Sequence, residues 1–133
     1  MKKAFTLTEM MITVILIGVL ASMALPGYRT FVEKGRTSEA RHVLGLIRQA
    51  EIAYYTEHDA YTNQLGDLGL ALPSATCNGS YFYRYTLGVA AGPDFVGVAS
   101  RCDGTAGAGK SPNGPSYQVN ISRHLLYGTS PYV

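Results

Sequence analysis

The chain has no tryptophan, only two cysteines, three histidines and almost no net charge, and each shortage removes a class of function. The formal charge of +2 at pH 7 is matched by the two leading lysines, Lys2 and Lys3, so the body of the chain is neutral. Nucleic-acid binding needs clustered Lys and Arg to neutralise phosphates, and no specific nucleic-acid partner is expected. His42, His58 and His124 lack the spacing of zinc ligands, so no metal or other cofactor is expected. Ser, His and Asp are scattered without a nucleophile arrangement, which leaves no catalytic residue to name and no support for an enzyme. Gly104, Gly109, Lys110 and Ser111 do fit the spacing of a phosphate-binding loop. Such a loop must lead into a helix whose N-terminus meets the phosphates, and Pro112-Asn113-Gly114-Pro115 does not continue as one.

One further absence is positive information. No ionisable side chain occurs between Met10 and Leu25, and with Phe5 to Thr8 in front the segment reaches the roughly 20 residues of a bilayer-spanning helix. Glu9 is the one charge inside it. An acid in a membrane segment is costly, which makes it a functional residue in search of a cation. No other side chain in the segment supplies one.

Beyond Leu25 the helical pattern persists. Pro26 predicts a kink rather than an end, because the period resumes after it. Apolar residues recur at Phe31, Val32, Ala40, Val43, Leu44, Ile47, Ala50 and Tyr54, with Glu33, Arg36, Glu39, Arg41, Arg48 and Glu51 expected on the opposite face. A helix from Phe5 to about His58 follows. The stretch Asp59 to Thr76 reads as a packed loop with one helical turn. Strands are expected at Tyr81 to Val89 and Phe95 to Arg101, joined by a turn at Ala90 to Asp94. A glycine-rich loop from Asp103 to Pro115 then leads to strands at Tyr117 to Ser122 and Leu125 to Tyr127. The expected fold class is α+β: a long N-terminal helix, transmembrane in its first half and amphipathic in its second, packed on a small antiparallel sheet. Outside the cytosol Cys77 and Cys102 read as one disulfide, worth roughly 3 kcal/mol; in the cytosol they would be two buried thiols. The membrane segment favours the disulfide. Tyr28, Phe31, Tyr54, Tyr55 and Tyr61 read as core and subunit contacts rather than as an aromatic track.

The run Lys2-Lys3-Ala4-Phe5-Thr6-Leu7-Thr8-Glu9-Met10 resembles the class III signal of type IV pilins and the related pseudopilins. Pro26 and Tyr28 also fall where that family has a helix-bending proline and a tyrosine. Two positions depart from its pattern: Ala4 stands where glycine is usual before the cleavage point, and Thr8 where an apolar residue is usual. The resemblance implies a leader at 1–4, cleavage by prepilin peptidase between Ala4 and Phe5, and N-methylation of Phe5. It implies a transmembrane and fibre-core helix half at 5–25. It implies, too, a periplasmic or extracellular globular domain at 26–133, including the amphipathic helix half to about residue 58. Glu9 would pair with the amine of Phe5 from a neighbouring subunit, a role that the stranded acid suggests on its own. The implied precursor sits in the inner membrane, single-pass, before extraction into an extracellular fibre. Its partners would be copies of itself, minor pilins, the peptidase, an inner-membrane platform and an ATPase.

Other readings stay open on the residues alone. A pseudopilin of a type II secretion system shares the signal and would build a short periplasmic fibre. The cysteines and the lack of an acidic cluster near the C-terminus favour a pilin. A secreted soluble module is the reading across classes: Lys2 and Lys3 form a basic region, Met10 to Leu25 an apolar one, and Ser22-Met23-Ala24 satisfies the small-x-small rule for cleavage after Ala24. A single-pass anchor that forms no polymer also fits.

Overall fold

The computed structural model describes residues 4–71, 75–89, 94–104, 109–110 and 115–129. Its elements are a helix α1 (Leu7–His58), a 3-10 turn (Leu65–Leu68) and four strands: β1 (Tyr83–Val89), β2 (Phe95–Arg101), β3 (Gln118–Ile121) and β4 (Leu126–Gly128). All but Asp94 of the predicted turn at 90–94, most of the glycine-rich loop (105–108 and 111–114) and the leader residues 1–3 lie outside the described residues. The chain divides into two compact units, Met1–Gly35 and Arg36–Val133.

In the first unit every residue from Ala4 to Phe31 is exposed. Large apolar side chains point outward all round: Leu7, Met10, Ile12, Val14, Ile15, Ile17, Leu20 and Met23 are each more than half exposed. The segment is long and apolar enough to cross a membrane, with a mean hydropathy of 2.2 over its best window. Pro26 lies within α1, which continues through it. Proline removes the amide that would bond Ser22 four residues back. Ser22 and Thr30 turn their hydroxyls onto the carbonyls of Val19 and Pro26 at 2.7 and 3.4 Å.

The second unit is a two-layer α+β domain. The strands form one antiparallel sheet in the order β1-β2-β3-β4, a meander in which each strand pairs with its sequence neighbours. Register places Tyr85 opposite Ala99, Leu87 opposite Gly97, Gly97 opposite Ile121 and Ala99 opposite Val119. Directly opposed residues share a face, so these positions line one side of the sheet. That side is covered by Ala40, Val43, Leu44 and Ile47 of α1, which form the core with Tyr83, Tyr85, Phe95, Ala99, Tyr117, Val119 and Ile121. Helix and sheet meet closely over Gly97. A Cβ there would sit 3.1 Å from Ile121 Cγ2, 3.4 Å from Leu44 Cδ2 and 3.5 Å from Ile47 Cγ2, so the missing side chain is the room the helix uses.

Three hydroxyls tie the layers together inside this core. Tyr83 and Tyr117 meet oxygen to oxygen at 2.6 Å, and Thr37 of α1 lies 3.3 and 3.2 Å from them. Burial pushes the Tyr83 phenol well above its ordinary range, with the bond to Thr37 opposing it. Cys77 and Cys102 are bonded, as expected outside the cytosol, and pin the approach to β1 onto the end of β2. Gly109 packs on that bridge so closely that a Cβ would collide with Cys102.

Two expectations for α1 are corrected. Phe31, placed on the apolar side of the helical pattern, is 73% exposed. Glu51, placed on the solvent face, is completely buried, and Glu33 is buried too. The buried stripe runs Thr37, Ala40, Leu44, Ile47, Glu51 at alternating steps of three and four, so Glu51 continues the row that the core residues define. Periodicity located this stripe correctly; reading charge as a mark of the outer face placed its last member wrongly.

Candidate assembly site at the head of the long helix

Helix α1 starts at Leu7, two residues later than the pattern of apolar residues suggests, because Thr6 is its N-cap. The first amides of a helix lack intrahelical partners, and a hydroxyl or carboxylate must take them. Thr6 Oγ1 accepts the Glu9 amide at 3.3 Å, while Glu9 Oε2 accepts the Thr6 amide at 2.9 Å and the Thr6 hydroxyl at 2.7 Å. This is a reciprocal capping box, threonine at the cap and glutamate three residues on. Its Thr-x-x-Glu signature is present in Thr6-Leu7-Thr8-Glu9, and weighing Glu9 only as a stranded charge passed over Thr6. Thr8 joins it, its hydroxyl 3.2 Å from that of Thr6. The acid also favours the helix N-terminus, where the macrodipole is positive.

Both bonds that the Glu9 carboxylate accepts fall on one oxygen, Oε2. Among the described residues Glu9 Oε1 has no hydrogen-bond donor, and the whole residue is exposed on the apolar helix. Glu9 is thus half satisfied by its own chain and half open. Ala4 and Phe5 precede the helix in non-helical backbone, Phe5 with 76% of its surface exposed, so the peptide bond between them is accessible. Pro26 lies far along the same helix, and the Cys77–Cys102 bridge belongs to the other unit; neither joins this site.

A sequence-family model for the prokaryotic N-terminal methylation motif matches residues 1–25, the stretch that holds Ala4, Phe5, Thr6 and Glu9. Among characterised proteins, the fimbrial protein EcpC of Eikenella corrodens is 31% identical over 79% of this chain and 67% of its own length. The chain belongs to the type IV pilin family. The type IV major pilin PilE1 of Neisseria gonorrhoeae is 32% identical over 61% of this pilin and 49% of its own length. PilA of Myxococcus xanthus is 35% identical over 52% and 31%. This pilin therefore spans two thirds of the first relative and half or less of the others. No solved structure matches it. The family is structural and not enzymatic.

The globular unit carries one further cluster that sequence spacing did not suggest. Arg36 of α1, Arg101 at the end of β2 and Lys110 place their cationic heads 5.1, 5.5 and 4.8 Å from the centre of the Phe82 ring. Arg101 also donates to the carbonyls of Phe82 and Cys102, both at 3.1 Å. Glu39 accepts the Phe82 amide at 3.2 Å and brings a negative charge to the same place. Three remote segments meet there, and only the fold brings them together. The cluster braces the disulfide end of the sheet through cation–π contacts. Of the aromatic residues singled out above, Tyr55 stacks on Tyr61 at 4.7 Å and Tyr61 meets Phe95 at 5.2 Å, whereas Tyr28 and Phe31 are exposed. His58 stacks on Tyr54 at 4.1 Å and turns Nδ1 to the Tyr54 carbonyl, a contact local to the end of α1.

Proposed function

We propose that this pilin is the structural subunit of a type IV pilus-like helical fibre. The observation that carries the reading is the half-open carboxylate of Glu9 at the head of a helix whose apolar surface is exposed on every side. In the precursor, lipid of the inner membrane covers that surface. Prepilin peptidase cuts between Ala4 and Phe5 and the new amine of Phe5 is methylated, which places a cation at the start of each mature chain. As subunits associate, helix contacts replace lipid contacts. Glu9 Oε1 then takes the Phe5 amine of a neighbour as its missing donor, and this charge match sets the stagger between subunits. Pro26 bends the helix where the apolar half ends. The domain from Arg36 onward lies outside the cytosol, in line with its disulfide. An inner-membrane platform and its ATPase drive extraction, and minor pilins share the fibre.

Two measurements test this. Mass spectrometry of the mature N-terminus shows methylated Phe5 if the reading holds and Leu25 if an ordinary signal peptidase cuts after Ala24. Shearing cells that carry Glu9→Ala yields fewer fibres while the membrane fraction keeps a normal amount of the subunit; fibres at normal abundance would contradict the pairing role.

A further inference from the structure

The most unusual group in the globular unit is the carboxylate of Glu51. It is completely buried on the last turns of the core-facing stripe. Oε2 accepts one bond, from the Thr62 amide at 3.3 Å, and Oε1 has no partner among the described residues. Thr62 is itself the hub of the segment that follows α1. Its hydroxyl donates to Asp67 Oδ2 at 2.7 Å and accepts the Gln64 amide at 3.0 Å, and the Asp67 amide returns to the Gln64 carbonyl at 3.2 Å. One hydrogen bond, accepted by a buried acid, therefore links α1 to a self-braced turn that includes Leu65–Leu68, beside the packing of Tyr61, Leu65 and Leu68 against the core.

We propose that Glu51 is a proton-operated latch: the segment from Thr62 to Leu68 docks on α1 while the Glu51 carboxyl holds its proton and loosens when the proton leaves. A neutral carboxyl with one accepted hydrogen bond costs far less to bury than an ionised one, even with its own O–H unpaired. An ionised one in the same place lacks donors for at least one oxygen and faces the like charge of Asp67, which belongs to the segment it holds. Burial pushes Glu51 above the ordinary carboxylate range, the Thr62 amide partly opposes this, and Asp67 adds to it. On α1 itself the titratable or charged residues one turn from Glu51 are Arg48, Tyr54 and Tyr55, and Tyr61 stands next to Thr62 in the docked segment. From the sheet, Phe95, which does not titrate, meets Tyr61 of this segment at 5.2 Å. Because the folded acid binds its proton more tightly than the unfolded one, docking is strongest at low pH. It weakens as pH rises from about 4.5, the ordinary value, through Glu51's own raised value. The latch concerns the globular unit and is independent of fibre assembly.

Hydrogen exchange of the full chain in detergent micelles tests this, read as protection factors of the Thr62 and Gln64 amides from pH 4 to 8. With one proton linked, opening increases by up to about tenfold per pH unit across the sensitive window. The expected result is a fall in Thr62 and Gln64 protection with rising pH while β2 amides in the same sample stay constant. Glu51→Gln, neutral at every pH, keeps Thr62 protected throughout. Asp67→Asn removes the repulsive charge and gives a shallower fall. Constant protection in the unmodified chain overturns the proposal. So does an equal fall in Glu51→Gln, or a parallel fall in β2, which would mean global unfolding instead.

Discussion

Gly97 is the position at which the helix and the sheet compete for the same space, and substituting it measures how closely they pack. In Gly97→Ala the new Cβ lies at ordinary contact distance from Leu44 Cδ2 and Ile47 Cγ2, at 3.4 and 3.5 Å, but only 3.1 Å from Ile121 Cγ2. Ile121 must yield by a few tenths of an ångström. Alanine also recovers about 0.5–1 kcal/mol of the entropy that glycine loses in a strand, so this variant should lie close to the unmodified protein. Gly97→Val adds two methyl groups where those three side chains already stand, and overpacking of this kind costs about 1–3 kcal/mol. For a domain of this size that lowers Tm by about 4–8 °C per kcal/mol. The assay is thermal unfolding of the full chain in detergent, followed by tyrosine near-ultraviolet circular dichroism. All tyrosines except Tyr28 lie in the unit that contains the sheet, so the signal reports on it. Ile121→Ala alone costs about 2–5 kcal/mol through its cavity. Combined with Gly97→Val it should cost less than the sum by at least about 1 kcal/mol, because the valine fills what the alanine vacates. An unchanged Tm for Gly97→Val, or strict additivity in the double variant, would refute close packing of helix on sheet at this point.

Replacing Cys77 and Cys102 with alanine releases a bridge between residues 25 apart in sequence. Chain entropy puts the loss at roughly 3 kcal/mol, and reductant should reproduce the lowered Tm in the unmodified chain but not in the variant. Asp59 ends α1 with φ of 53°, its amide bonded to the Tyr55 carbonyl at 2.9 Å. Glycine adopts that left-handed conformation without a Cβ penalty, so Asp59→Gly should raise stability by about 0.5–1 kcal/mol in a urea titration. Ala4→Gly restores the small residue usual in the family before the cleavage point, and pulse-chase electrophoresis should show faster conversion of precursor to mature chain.

Most of the architecture was legible from one-dimensional patterns because the forces involved are local and repetitive. The apolar run before Leu25, the three-and-four spacing through Ala40, Leu44 and Ile47, and the Tyr- and Val-rich stretches at β1 and β2 each repeat a physical preference over many residues. What escaped were single contacts between distant segments. Glu51 looks like a solvent-facing acid until the chain turns back and brings Thr62 onto it. Phe82 looks like one more strand aromatic until Arg36, Arg101 and Lys110 converge on it. Thr6 is a different case, since its capping signature is contiguous with Glu9. The two expectations for Glu9 compete: an acid awaiting a neighbour's cation, and an acid capping its own helix.

The two roles are compatible in one residue, because capping uses Oε2 and a neighbour's cation would use Oε1. Only an interaction that differs between two states can shift the balance between them. The bonds from Thr6 to Oε2 are made within one chain and can persist whether lipid or other helices surround α1, so they give no preference for the fibre. Oε1 is open in the isolated chain, and any donor it gains from a neighbour is a gain of association alone. Glu9→Gln separates the two roles. The amide oxygen still accepts from Thr6 and keeps the helix capped, but the other arm becomes a donor and carries no charge, so it cannot take a neighbour's amine. If pairing drives assembly, Glu9→Gln should lose fibres to the same extent as Glu9→Ala, with helix content in micelles unchanged by far-ultraviolet circular dichroism. If capping is all that Glu9 contributes, Glu9→Gln should assemble normally and only Glu9→Ala should fail.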